Sequence, residues 1–490
     1  MAQLRPRISK SRFMAGLQCH KLLWWRVHEP DAPELVPGPG QQAVFDQGTR
    51  VGEVARTYVP GGTLIDLPHD AFERRLARTR EVLAEGAPVV YEASFRAGSL
   101  YAALDILERV RQGFRIIEVK SATRIKDEHL PDVAIQAHLL RECGFEVAGI
   151  EIMHLDRACR FPDLGNLFVR SDVTAAVEPL LSELPAQVEH QLRVLAGPCP
   201  DVPIGAQCTT PYACPFLERC WPKRPEHHVS TLYHAGGRAS EFEAAGYATI
   251  DQLPGGLGLR PPAERQRRAV RAGEMIVEPG LARALGALRS PLAFLDFETV
   301  APAIPCWEDC RPYDAVPVQF SCHRENPGAE PSHHEWLAEG PEDPRPELAR
   351  RLIEACHGAR TIVAYNAGFE RTCLRAMAAV LPEQRAALED LEARLADALP
   401  ILRDHIYHPA FGGSFSLKSV LPALVPELSY EGLEIAEGNR ASVELARLLF
   451  EEATLAPGER TRLRAALLRY CALDTLALVR LVERMRALAG

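Results

Sequence analysis

Two short runs place carboxylates on strands that are otherwise apolar: Asp105 followed by Glu118-Val119-Lys120, and Asp296-Phe297-Glu298 inside PLAFLDFE. Residues two apart on a strand point to one face, so each run aligns polar groups on a face that its neighbours mark for burial. A buried, uncompensated carboxylate is costly to fold around. Strands of this kind are explained by what the carboxylates hold, and the expected ligand is a divalent cation. The runs lie nearly two hundred residues apart, which predicts two α/β cores, each built around its own acid-bearing strand.

A chain of 490 residues has room for two large domains and a connector, read here as 1–225, 226–289 and 290–490. Hydrophobic residues at 47% and charged residues at 25% describe a soluble globular protein. The net charge of −9 argues against a generally basic nucleic-acid coat, although local basic grooves and bound cations can reverse the field. Only six of the 56 basic residues are lysine (10, 21, 120, 126, 223 and 418), so Lys120 beside Glu118 stands out. No signal-peptide run and no stretch of twenty apolar residues is present, so a cytoplasmic protein without membrane contact is expected. In that compartment thirteen cysteines are not a disulfide framework, and a spaced subset suggests a metal or cluster site.

Residues 99–110 and 114–119 read as strands joined at Arg111-Gln112-Gly113, followed by a helix at 132–143 and a strand at 147–154. This order is the spine of a small α/β core. The connector carries a helical pattern at 238–245, an apolar stretch at 249–253, the loop 254–258 and the arginine-dense 264–275. That last helix face is either solvated or set against a nucleic-acid backbone. Strands at PLAFLDFE and 361–366 open the last domain, with helices at 375–403, 440–453 and 458–488.

Asp105, on the strand beside Glu118, can share a cation with it and a backbone carbonyl, while Lys120 orients water or steadies charge on a phosphate oxygen. These residues resemble the PD-(D/E)XK nuclease superfamily, in particular its RecB-like branch, over roughly the first 220 residues. The resemblance implies an assisting acid on an early helix, here Glu53 in FDQGTRVGEVAR, and a downstream Gln-x-x-x-Tyr. The latter is half present: Gln136 is there, but Leu140 stands where tyrosine is expected.

Cys208, Cys214 and Cys220, with Cys19 far upstream, are four soft ligands whose spacing fits neither a zinc ribbon nor the common ferredoxin runs. With their flanks SKSRFMAGLQCHKLLWW and CTTPYACPFLERCWP, they resemble the iron–sulfur nucleases of the CRISPR-associated and helicase-nuclease kinds. That implies a structural [4Fe–4S] cluster, with zinc the alternative. The other nine cysteines, Cys306 and Cys310 included, read as buried or incidental thiols.

In the last domain Asp296 and Glu298 share a strand face, Glu370 follows a strand end in NAGFE, and Tyr470 and Asp474 are one helical turn apart. Four carboxylates can hold two Mg²⁺ or Mn²⁺ ions for in-line displacement at phosphorus, with Tyr470 orienting or deprotonating water. This set resembles the DEDD exonucleases of the ribonuclease H-like fold, in the Tyr-x-x-x-Asp variant, over about 290–490. Relatives carry aspartate where this chain has Glu370. Lys418 in GSFSLKSVLPAL is either a phosphate contact or a surface lysine, and His405 and His408 read as surface or core residues rather than bases.

The pairing resembles an uncharacterised bacterial family that fuses an iron–sulfur RecB-like nuclease to a DEDD exonuclease. It implies a metal-dependent DNA nuclease acting on single strands or ends in repair or defence. A ribonuclease, a nucleic-acid-binding scaffold with one or both sites inactive, and a zinc-stabilised structural protein are the rivals.

Overall fold

The hairpin read around residue 111 lies at the centre of a mixed seven-stranded sheet. Its strands are β1 (Ile8–Ser9), β2 (Gly62–Leu64), β3 (Val89–Ala97), β4 (Leu100–Val110), β5 (Gly113–Lys120), β6 (Val147–Leu155) and β7 (Phe168–Asp172). They run in the order β2-β3-β4-β5-β6-β7, with β1 pairing β4. In this computed structural model residues 7–221, 223–326, 328–451, 453 and 455–490 are described. The protein is of the α/β class and divides into two units. One is Met1–Pro222 with Pro302–Asp314; the other is Lys223–Ala301 with Ala315–Gly490.

Period-2 alternation along β5 sets the first unit's two faces. Phe114 and Ile116 pack with Val133, Ala137 and Leu140 of the helix His129–Glu142. Ile117, on the other face, packs with Ile106, Met153 and Ala55 of the helix Pro39–Tyr58. The β4–β5 ladder runs from Val110–Gly113 to Ile106–Ile117. Beyond it, Asp105 Oδ2 accepts the Val119 N–H at 2.8 Å, standing in for a ladder carbonyl. On the edge of β4 that β5 has left, β1 pairs Ile8 with Leu100 and Ser9 with Tyr101. The next residue, Lys10, is thereby carried toward the end of β5.

The segment Pro302–Asp314 belongs to this first unit. Ala303 is buried with Val51, Leu155 and Leu167, and the Tyr313 hydroxyl donates to the Ser121 carbonyl at 2.8 Å.

The second unit holds β8 (Ile276–Val277), β9 (Leu292–Val300), β10 (Val316–Arg324), β11 (Ser332–Leu337), β12 (Thr361–Ala364), β13 (Leu395–Asp397) and β14 (Ile406–Tyr407). The main sheet runs β11-β10-β9-β12-β13, while β8 and β14 form a separate ribbon. The pairs β11–β10 and β10–β9 are antiparallel, and β9–β12 and β12–β13 are parallel. Leu295 and Phe297 pack with Leu348, Leu352 and Leu374. Phe294 faces the other way into a core with Leu478 and Val482 of the long helix Glu459–Ala489. Asp296 and Glu298 share the Phe294 side.

Three expectations need correction. Residues 226–289 are not a free-standing connector, because Val229, Leu232, Ile250 and Leu253 share one core with Leu402, Tyr407 and Leu481 of the second unit. The arginine-dense helix Pro261–Ala272 is solvated on only part of its surface, with Arg268 and Arg271 exposed. Arg265 is buried and donates to the Arg403 carbonyl at 2.8 Å, and buried Arg267 donates to the Leu253 carbonyl at 3.2 Å. The helix expected at 375–403 is three, Gly368–Val380, Arg385–Ala393 and Ala398–His405. Pro382 ends the first by disfavouring helical backbone before it, and Leu395 and Ala396 are drawn into strand pairing with β12.

Two carboxylate sites and a four-cysteine cavity

At the open end of β4 and β5, Glu118 is 2% exposed. Its Oε1 accepts from Lys10 Nζ at 2.7 Å and Lys120 Nζ at 2.8 Å, and its Oε2 from Gln136 Nε2 at 2.7 Å. Asp132, one turn before Gln136 on the same helix, is bonded to Lys120 and lies 3.6 Å from Lys10. Burial alone would raise the Glu118 carboxyl, but the two ammonium groups outweigh it and hold the group well below its ordinary range. Burial and the neighbouring Glu118 push Asp105 up to about 7. The adjacent-strand acids Asp105 and Glu118 are thus shifted in opposite directions, and the two lysines lie between Glu118 and Asp132.

A cavity of about 510 Å³ opens here, lined in part by Gly52, Arg56, Glu92, Asp105, Glu118 and Ser121. Glu53 is not among its lining residues. The helix Pro39–Tyr58 turns Gly48, Gly52 and Arg56 inward at four-residue spacing, so Glu53 falls a quarter turn round, exposed and beside Arg50 at 3.4 Å. Besides Asp105 and Glu118, the acids that line the cavity are Asp66 and Glu92. Tyr91 pairs with Ile106 and Ala93 with Leu104, so Glu92 falls opposite Asp105 in unbroken register, with φ of 59°. It lies 3.2 Å from Arg56 and 3.5 Å from Arg75. Leu140, where tyrosine was expected, is in the core.

In the second unit, carboxylate oxygens of Asp296, Glu298 and Asp474 all lie within 4.8 Å of one another. Glu370, 3% exposed, has an Oε2 without a hydrogen-bond partner among the described residues. Burial, with Asp474, pushes Glu298 up to about 8; burial, with Asp397, pushes Glu370 up to about 7. Asp296 is raised by burial and then by Asp474, Glu298 and Glu370. Asp474 rises to about 6 because burial outweighs its bond from Tyr430 and the Lys418 charge. Burial and Asp474 also raise the Tyr470 phenol. The Lys418 ammonium is 5.2 Å from the ring centroids of both Tyr430 and Tyr470 and 3.5 Å from the Tyr470 hydroxyl. His408 Nδ1 accepts the Ala410 N–H at 3.1 Å, a local cap, and His405 Nδ1 lies 2.9 Å from the Ile401 carbonyl.

Lys10, Glu92, Asp132, Asp397 and Tyr430 were missed in the sequence. Asp132 had a signal, since it sits four residues before Gln136 and so shares its helix face. Asp397 accepts from the Asn366 and Leu399 N–H groups at 2.9 Å, tying the loop before Glu370 to a helix cap.

Cys19, Cys208, Cys214 and Cys220 line one cavity with Leu22 and Trp25. Cys19 sits at the junction of the helices Lys10–Gln18 and His20–His28. The Cys214 N–H donates to the Cys208 carbonyl at 2.9 Å. Phe216, fully buried with Ala15 and Leu22, holds the late cysteines against the early one. Cys306 and Cys310 are not among the lining residues.

The family model described as a domain of unknown function, DUF2779, matches residues 293–416. The match takes in Asp296, Glu298 and Glu370 and ends before Tyr470 and Asp474. Nothing among curated proteins matches the chain. Among the described residues no helix is long and apolar enough to cross a membrane.

Proposed function

We propose that the chain is a metal-dependent nuclease with two carboxylate sites, hydrolysing phosphodiester bonds of DNA at single strands or ends, in repair or defence. The observation that carries this reading is the convergence of Asp296, Glu298 and Asp474 within 4.8 Å, with buried Glu370 beside them. Each of these groups is raised by burial, and Asp296 by all three of its neighbours, so the set repels itself in proportion to its ionisation. Such a set suits divalent cations, which supply Lewis-acid charge to the phosphate and its attacking water. Asp296, Glu298, Asp474 and Glu370 would hold them. Tyr470 would orient the water, Tyr430 fixes the Asp474 carboxylate, and Lys418 meets phosphate charge from the tyrosine side.

In the first site Asp105 and Glu118 would hold a cation. Lys120 and Lys10 would steady charge on the phosphate oxygens, with Gln136 fixing the Glu118 rotamer. The four cysteines would hold a [4Fe–4S] cluster. All four line one cavity, an arrangement of soft ligands that suits either a cluster or zinc, and the cluster is preferred on the resemblance of the flanking segments alone.

The test uses anaerobically purified protein, Mg²⁺ or Mn²⁺, and single-stranded DNA labelled at either end. Wild type runs beside Lys120→Ala, Asp296→Ala and the double variant. Loss of a different part of the product ladder in each single variant, and of all of it in the double, supports two cutting sites. RNA cut in place of DNA would make the protein a ribonuclease, and no cleavage under any metal would leave the scaffold reading.

A further inference from the structure

Tyr212 stands in CTTPYACPF, between two of the four cysteines, and its side chain is left in solvent: the residue is 58% exposed. A single exposed apolar ring is ordinary on a protein surface. This one differs in how its backbone is held and in what lies near its hydroxyl. Gln18 Nε2 donates to the Tyr212 carbonyl at 2.7 Å and to the Gln207 carbonyl at 2.8 Å, bracketing the loop. The Cys214 N–H to Cys208 carbonyl bond closes that loop at its base.

Gln18 is the last residue of the helix Lys10–Gln18, whose first residue reaches Glu118. Nine residues at about 1.5 Å each make a strut of roughly 13 Å between the acid cluster and the loop. At the loop the Tyr212 hydroxyl lies within electrostatic reach of Glu128, Lys120 and Asp132. The result is an exposed aromatic on a rigid mount beside the first carboxylate site. A pre-organised ring loses little freedom on binding, and every nucleobase has a face that can stack on it.

We propose that Tyr212 is a stacking platform for a nucleobase of a single strand entering the first carboxylate site, an assignment that rests on the nuclease reading above. On this view the four-cysteine cavity has a second task besides closing the unit, because Cys208 and Cys214 aim the platform.

The experiment compares full-length, anaerobically purified wild type with Tyr212→Phe, Tyr212→Leu and Tyr212→Ala. The probe is fluorescein-labelled oligothymidylate, with Ca²⁺ in place of Mg²⁺. Stacking on an aromatic is worth about 1–3 kcal/mol per base, so the alanine and leucine variants should bind about 5- to 150-fold more weakly. Phenylalanine should stay near wild type. A 5-iodouracil oligonucleotide should photocrosslink to the peptide containing Tyr212. If all four proteins bind alike and crosslinks fall elsewhere, while wild type still cuts DNA through Lys120, the platform is overturned and the nuclease reading survives. If wild type neither binds nor cuts nucleic acid, both fall together.

Discussion

Replacing Glu298 with glutamine removes one carboxylate from a set that crowds Asp296, Glu298 and Asp474 within 4.8 Å. The stability effect follows from the pKa. Glu298 moves from an ordinary 4.5 to about 8, so the folded protein holds this proton more tightly than the unfolded chain does. Its contribution to stability is therefore complete below pH 4.5 and is lost as the pH rises through 8. Three and a half units at 1.36 kcal/mol each set a ceiling of about 5 kcal/mol. Asp474 titrates nearby at about 6, so the two share protons and the expected loss is about 2 to 5 kcal/mol. Thermal melting in EDTA from pH 5 to pH 8 reads this directly. Wild type should fall relative to Glu298→Gln by on the order of 10 °C across that range, and excess Mg²⁺ or Mn²⁺ should restore wild type but not the variant. Parallel melting curves for the two proteins at every pH, with or without cation, would refute the idea that these acids form one desolvated cation site.

Cys214→Ala should lose the visible absorbance of the anaerobic protein and leave the first unit prone to aggregation; a soluble, fully active variant would refute a structural cluster. Lys10→Met should cut first-site cleavage about 10²- to 10³-fold, read on end-labelled DNA, and lower the melting temperature because buried Glu118 loses one of its two ammonium partners; an unaffected rate would leave Lys120 as the sole working lysine. Arg265→Met strands the Arg403 and Asp404 carbonyls and should destabilise by about 2–4 kcal/mol in urea. Its affinity for DNA should not change, and a large affinity loss without destabilisation would restore a nucleic-acid role for that helix. Glu370→Asp shortens the reach of a buried ligand by one methylene, and calorimetry should show a changed affinity for Mn²⁺ if Glu370 holds a cation.

The acid-bearing strands were readable because an interruption of apolar alternation is local: Asp296 stands between Leu295 and Phe297, and Glu118 next to Ile117. Lys10 was not readable, since it depends on a two-residue strand whose place is set only by where β5 leaves β4. Glu53 failed for a geometric reason. A helix one residue off register presents a face about 100° away, and Gly52 and Arg56, not their acidic neighbour, look into the cavity. Glu92 falls opposite Asp105 on the neighbouring strand, a pairing that depends on cross-strand register rather than on any pattern along β3 itself. The arginines at 265 and 267 read as surface because composition says nothing of carbonyls supplied from more than a hundred residues downstream in the one case, and from the preceding loop in the other.

The segment Pro302–Asp314 has a bearing on the order of events at the ribosome. The first unit's core includes Ala303 beside Val51, Leu155 and Leu167, yet that alanine is encoded between two strands of the other unit's sheet. A nascent chain that has emerged as far as residue 222 still lacks this plug. At about 5–20 residues per second the plug follows roughly 5 to 20 s later. A gene fragment ending at 222 would carry all four cysteines and Lys120 and still leave Val51, Leu155 and Leu167 without their cover. The halves of this protein therefore call for co-expression of the whole chain, or for a graft of the missing loop, if either is to be studied alone.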